Sequence, residues 1–132
     1  RAGDSGLFRV TDVFGLDLGA RGVSDLAWDP VTHGYLIAAA KSNGPRLNLD
    51  EPFPPNTLDS ALFWWSGDKS EGPILFARMP DLKIEAICRL GTTAFIAVGS
   101  DEGDVSEGRV QQQQSILTIL AFTGITRVLE GR

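Results

Sequence analysis

The chain has 132 residues, 42% hydrophobic and 22% charged, which is the composition of one ordinary globular domain and not of a disordered segment. Seventeen acids against twelve lysines and arginines give a net charge of −5, and the bases are scattered singly, so no basic stripe can be drawn and nucleic acid is not an expected partner. The longest apolar runs, YLIAAA and ILTILAF, fall far short of the roughly 20 residues that cross a bilayer, so no membrane-spanning helix is expected.

Taken in chain order, short runs rich in Val, Ile, Leu, Phe and Trp recur between Gly, Pro, Asp and Asn, and no segment keeps helical spacing for three turns. The pattern predicts strands at 6 to 10, 13 to 18, 22 to 28, 34 to 40, 61 to 66, 73 to 79, 84 to 90, 94 to 99, 115 to 122 and 125 to 129. DPVTHG, between Trp28 and Tyr35, opens with Asp-Pro and closes with Gly34, which is turn chemistry, so 22 to 40 reads as a hairpin. Helix is nearly absent from this reading. Cys88 is the only cysteine, which excludes an intrachain disulfide, and its place inside IEAICRL predicts a small buried hydrophobe and not a catalytic thiol. The chain opens on Arg1 with no leader signature behind it, which raises two expectations: a removed leader, with export of a soluble protein, or a piece of something larger.

Two stretches are alike. YLIAAAKSNG at 35 to 44 returns as AFIAVGSDEG at 94 to 103. VSDLAW at 23 to 28 faces IEAICR at 84 to 89, with the first turn two residues longer, and SALFWWSG at 60 to 67 faces LTILAFTG at 117 to 124. Further upstream, DSGLF at 4 to 8 echoes DSALF at 59 to 63. Each unit therefore reads strand, turn, strand, long loop, strand, turn, strand, with the insertion in the same connection at 41 to 59 and at 100 to 114. Four-stranded antiparallel units repeating with loop insertions are the signature of β-propeller blades. The expected fold is all-β, a partial β-propeller of about two and a half blades: outer strands at 1 to 20, a blade at 21 to 82 and another at 83 to 132. The alternative is a β-sandwich, which short alternating strands fit as well. A partial propeller needs its remaining blades from a longer chain or from other subunits.

RGVSDLAWDPVTHGYLIAAA, ALFWWSGD, PDLKIEAICRL and AFIAVGSDEGD together resemble the closing blades of an uncharacterised family of bacterial β-propellers, similar to the esterase-like and phytase-like propellers and more loosely to the gluconolactonase group. The likeness covers about 21 to 125. Trp64 stands where that family has an arginine, and Lys83-Ile84 where it often has proline before glutamate. The resemblance implies a propeller fold and, for activity, a metal-assisted esterase or phosphatase-type hydrolase.

Propeller topology brings the entry to the first strand of each blade and the end of the second to one face, around the channel mouth. Here that gathers Arg21, Asp25, Lys41, Asn43, Glu85, Asp101, Glu102 and Asp104. Glu85, Asp101 and Asp104 are the candidate ligands for a hard cation such as Ca²⁺, which takes about six to eight oxygens. Calcium-loop spacing is absent, and a solvated acidic loop explains the same residues. Arg21, Asp25, Lys41, Asn43 and Glu85 are the candidates for a small ligand, the two cations for an anionic group and an acid as general base. His33, the sole histidine, sits in the DPVTHG turn at the opposite end, and no serine has a hydrolase-elbow context. The tryptophan pair at 64 and 65 alternates across its strand, predicting one ring between blades and one outward, where it could stack on a carbohydrate. Three readings are open: a small ligand or cation held at the acidic mouth, a metal-assisted hydrolase, and a non-enzymatic protein-interaction scaffold.

Overall fold

A computed structural model describes residues 6–41, 59–80, 82–101 and 115–125. Within them the chain is all-β, with seven strands and no helix. They are β1 (Gly22–Asp29), β2 (Gly34–Lys41), β3 (Asp59–Trp65), β4 (Ile74–Pro80), β5 (Ile84–Arg89), β6 (Phe95–Asp101) and β7 (Ser115–Ala121). Each coincides with a strand expected from the alternation of apolar residues. The segments 6 to 10 and 13 to 18 form no strand, and the expected strand at 125 to 129 lies, apart from Ile125, outside the described residues.

The strands form two antiparallel meanders, β1-β2-β3-β4 and β5-β6-β7. Turn chemistry closes the first hairpin: Asp29 accepts the Val31 amide on its side chain at 3.1 Å and the His33 amide on its carbonyl at 2.8 Å, with His33 left-handed at φ 56°. Gly34 follows because nothing larger fits, since a Cβ there would lie 2.4 Å from the Trp64 indole.

The pairing register makes the two units equivalent residue by residue. Val23 pairs with Ala39 and Ile84 with Ser100, each 61 residues on (84 against 23, 100 against 39). Both first strands also carry a register shift at the same place, between Val23 and Asp25 and between Ile84 and Ala86. A conserved offset through both strands means that the two first turns have the same length, which corrects the two-residue difference inferred from the sequence. The apolar letters of β2 and β6 align at the shorter spacing because a shift of two keeps every residue on the same face.

The sheets pack face to face, in the manner of a sandwich. Leu36, Ala38, Leu62 and Trp64 of the first meet Ile84, Ile87, Ile96 and Val98 of the second in one core. Phe76 stacks on Phe122 at its margin, with centroids 4.0 Å apart. The opposite face of the first sheet, with Ile37, Ala39, Phe63 and Trp65, is covered by Leu16 and Leu18 of the leading segment. β3 is therefore buried on both faces, and both tryptophans with it, at 7% exposure each. One ring of the pair was expected outward, and neither is: Phe14 and Tyr35 pack on Trp65, and its indole N–H donates to the carbonyls of Asp68 and Glu71. A carbohydrate platform at either ring is thereby ruled out. Cys88 is likewise corrected. It lies on the outer face of β5 and is exposed, because inward positions on that strand belong to Ile84, Ile87 and Arg89.

Candidate functional site

In each sheet the start of the first strand lies beside the end of the second, Gly22 opposite Ala40 and Ile84 opposite Ser100. Ser60 ties these ends together across the sheets: its hydroxyl donates to the Leu82 carbonyl at 2.6 Å and accepts the Ile84 amide at 3.2 Å.

The candidate residues fall into three groups. Arg21 and Asp25 are held by the protein itself. Arg21 is 9% exposed along its side chain, and its guanidinium donates to the Asp59 carboxylate at 2.8 Å, the Asp59 carbonyl at 3.3 Å and the Leu18 carbonyl at 3.1 Å. Asp59 in turn takes Arg78 at 3.4 Å. Asp25 accepts the Leu26 amide at 2.9 Å on one oxygen and, on the other, the Ile87 amide of the second sheet at 2.9 Å. That second bond ties the first sheet to β5 just past its register shift, where Ile87 pairs with Val98. Glu85 is different. It lies at the shift itself, with its side chain 49% exposed and Lys83 at 3.8 Å. Lys41 and Asp101 close β2 and β6 at the same end, and Asn43, Glu102 and Asp104 lie outside the described residues. Among the described residues no group of three His, Cys, Asp or Glu side chains is placed to hold a metal ion.

At the opposite end lies a cluster that the sequence reading missed. Asp29 is fully buried, and Arg89 reaches it from the second sheet with two parallel bonds, Nε to Oδ1 at 2.8 Å and Nη2 to Oδ2 at 2.6 Å. The third guanidinium nitrogen donates to the Phe122 carbonyl at 2.6 Å. Thr32 donates its hydroxyl to Asp29 and accepts the Trp64 indole N–H at 2.9 Å. Burial opposes the charge on Asp29, but the bonds from Arg89, Thr32 and the Val31 amide outweigh it and lower its pKa to about 2. Every polar atom of this ion pair faces another protein group, so it offers a ligand nothing to bind. A signal for it existed: an arginine at an inward position of an apolar strand, in ICRL, needs a buried partner. His33 lies nearby but points away, stacking on Trp28 with centroids 6.4 Å apart.

No protein family matches the chain, nor does any curated protein or solved structure.

Proposed function

We propose that this chain is part of a β-propeller and that it acts as a non-enzymatic interaction scaffold. The propeller reading is supported by two equivalent meanders running in the same direction, with their register shifts at equivalent positions and the following sheet stacked on one face of the first. One observation carries the functional part. The two best-placed candidate residues, Arg21 and Asp25, direct their polar atoms at protein oxygens and amides and join the strands together, so they hold the scaffold and are not turned toward a ligand.

A second reading keeps one observation in its favour: Glu85 stands half-exposed at the strand-end face, beside the β6 end that runs into SDEGD. With the resemblance to esterase-like and phytase-like propellers, that position would suit a cation or small ligand and a hydrolytic reaction. The two readings separate in one experiment. Hydrolysis of p-nitrophenyl acetate and p-nitrophenyl phosphate is followed with and without millimolar Ca²⁺, alongside thermal melting in the same buffers. The scaffold reading expects no turnover above the blank and no shift in Tm. Turnover or a Ca²⁺-dependent rise in Tm that disappears in Glu85→Gln would overturn it in favour of the second.

A further inference from the structure

Among the described residues the first sheet is covered on both faces, whereas the second is covered on one. The outer face of the second sheet carries Phe95, Leu117 and Ile119 at 48%, 67% and 47% exposure, with Ala86, Ala97 and Gly99 between them. An apolar sheet face of this kind marks an interaction surface. The internal equivalence says what sort of surface belongs there. Ala97 and Gly99 stand 61 residues beyond Leu36 and Ala38 (97 against 36, 99 against 38), and Leu117 and Ile119 stand 55 beyond Leu62 and Trp64 (117 against 62, 119 against 64). In the first sheet these four positions form the face on which the second sheet is packed. The exposed face is thus the same contact one repeat later, without its cover.

The far end of the stack shows the complement. The leading segment lies over the first sheet through Leu16 and Leu18, with Phe14 on Trp65, and among its remaining apolar side chains Phe8, Val10 and Val13 are 61%, 61% and 84% exposed. The molecule therefore ends in two apolar surfaces on opposite sides, each where the stacking is interrupted. We propose that the outer face of the second sheet docks a second copy of this chain through that copy's segment 6–18, in a head-to-tail stack. Such a contact is heterologous: it closes into a ring if the rotation between copies allows and otherwise grows into an open assembly. The proposal rests on the repeat that also supports the scaffold reading, but mass and hydrolysis are measured separately, so either can fail without the other.

The test is light scattering on the intact chain over a wide concentration range, with two surface variants, Leu117→Glu and Val13→Glu. Both sites are exposed, and circular dichroism and Tm matching those of the wild type confirm that each variant is folded. The wild type is expected at multiples of 14.2 kDa, and each variant alone at 14.2 kDa. Mixed in equal amounts, the variants should form a dimer of twice 14.2 kDa and nothing larger, because each retains one intact surface. A wild type that stays at 14.2 kDa at every concentration overturns the proposal and leaves that face to further blades of a longer chain. A Val13→Glu protein that still associates, while Leu117→Glu does not, overturns it in favour of a symmetric face-to-face dimer.

Discussion

Asp29 and Arg89 join the two sheets through a fully buried ion pair, and such pairs behave asymmetrically: keeping both partners is worth little, while removing one leaves a buried charge uncompensated. Asp29→Asn is therefore expected to cost about 3 to 5 kcal/mol, read from the urea midpoint. The pH dependence has a definite sign. A carboxylate whose pKa falls from 3.8 to about 2 on folding contributes stability that is complete above the unfolded value and is lost as pH drops toward the folded one. The gap between wild type and Asp29→Asn should then narrow by about 2 kcal/mol between pH 6 and pH 2. A constant gap over that range would mean that Asp29 does not carry the charge assigned to it. This pair was half-legible in the sequence. Arg89 is a charge in an apolar run, but its partner lies 60 residues away at the end of β1, and nothing local to the turn that follows distinguishes an aspartate that caps its own loop from one that also receives a distant guanidinium.

At the scale of the strands, alternation of apolar residues located all seven, because successive side chains turn to opposite faces and the register shifts in β1 and β5 interrupt that period only locally. It misread 13 to 18 for the same reason: Leu16 and Leu18 cover the first sheet, but from a segment without a ladder of its own, whereas the apolar residues at 6 to 10 are exposed. Alternation also cannot say whether the second face of a strand is dry, which is why one ring of the tryptophan pair was expected outside and Cys88 inside. The hairpin ends that carry Arg21 and Asp25 were legible, but not their chemistry, since whether the two side chains point at solvent or at backbone depends on contacts with Asp59 and Ile87 far along the chain. The closest approach between strands offers a test. Gly34 on β2 lies under the Trp64 ring of β3, and the indole is fixed by its bond to Thr32. Gly34→Ala must displace that ring, so it should destabilise the protein by about 1 to 3 kcal/mol and alter tryptophan fluorescence in the folded state. Unchanged stability and spectrum would show that the ring can move freely, and that Thr32 does not hold it.

For the whole molecule, the balance between charge and apolar surface decides how copies meet. Each chain carries −5 at pH 7, so two copies repel one another at long range. The surfaces proposed to meet are apolar: Phe95, Leu117 and Ile119 on one side, Phe8, Val10 and Val13 on the other. Burying them gains free energy in proportion to area and independently of ion pairing. Salt acts on the two terms in opposite ways: it shortens the screening length from about 10 Å at 0.1 M to about 3 Å at 1 M, removing the repulsion, and leaves apolar burial intact. Association should therefore strengthen as sodium chloride rises, and also as pH falls toward the isoelectric point near 4.7. Sedimentation equilibrium at several salt concentrations reads this directly. An assembly that dissociates with added salt would be held by ion pairs, such as one from Arg78, whose side chain is 62% exposed at the strand ends. In that case copies would meet through the strand-end face, and the stacking of sheet on sheet would stop inside a single chain.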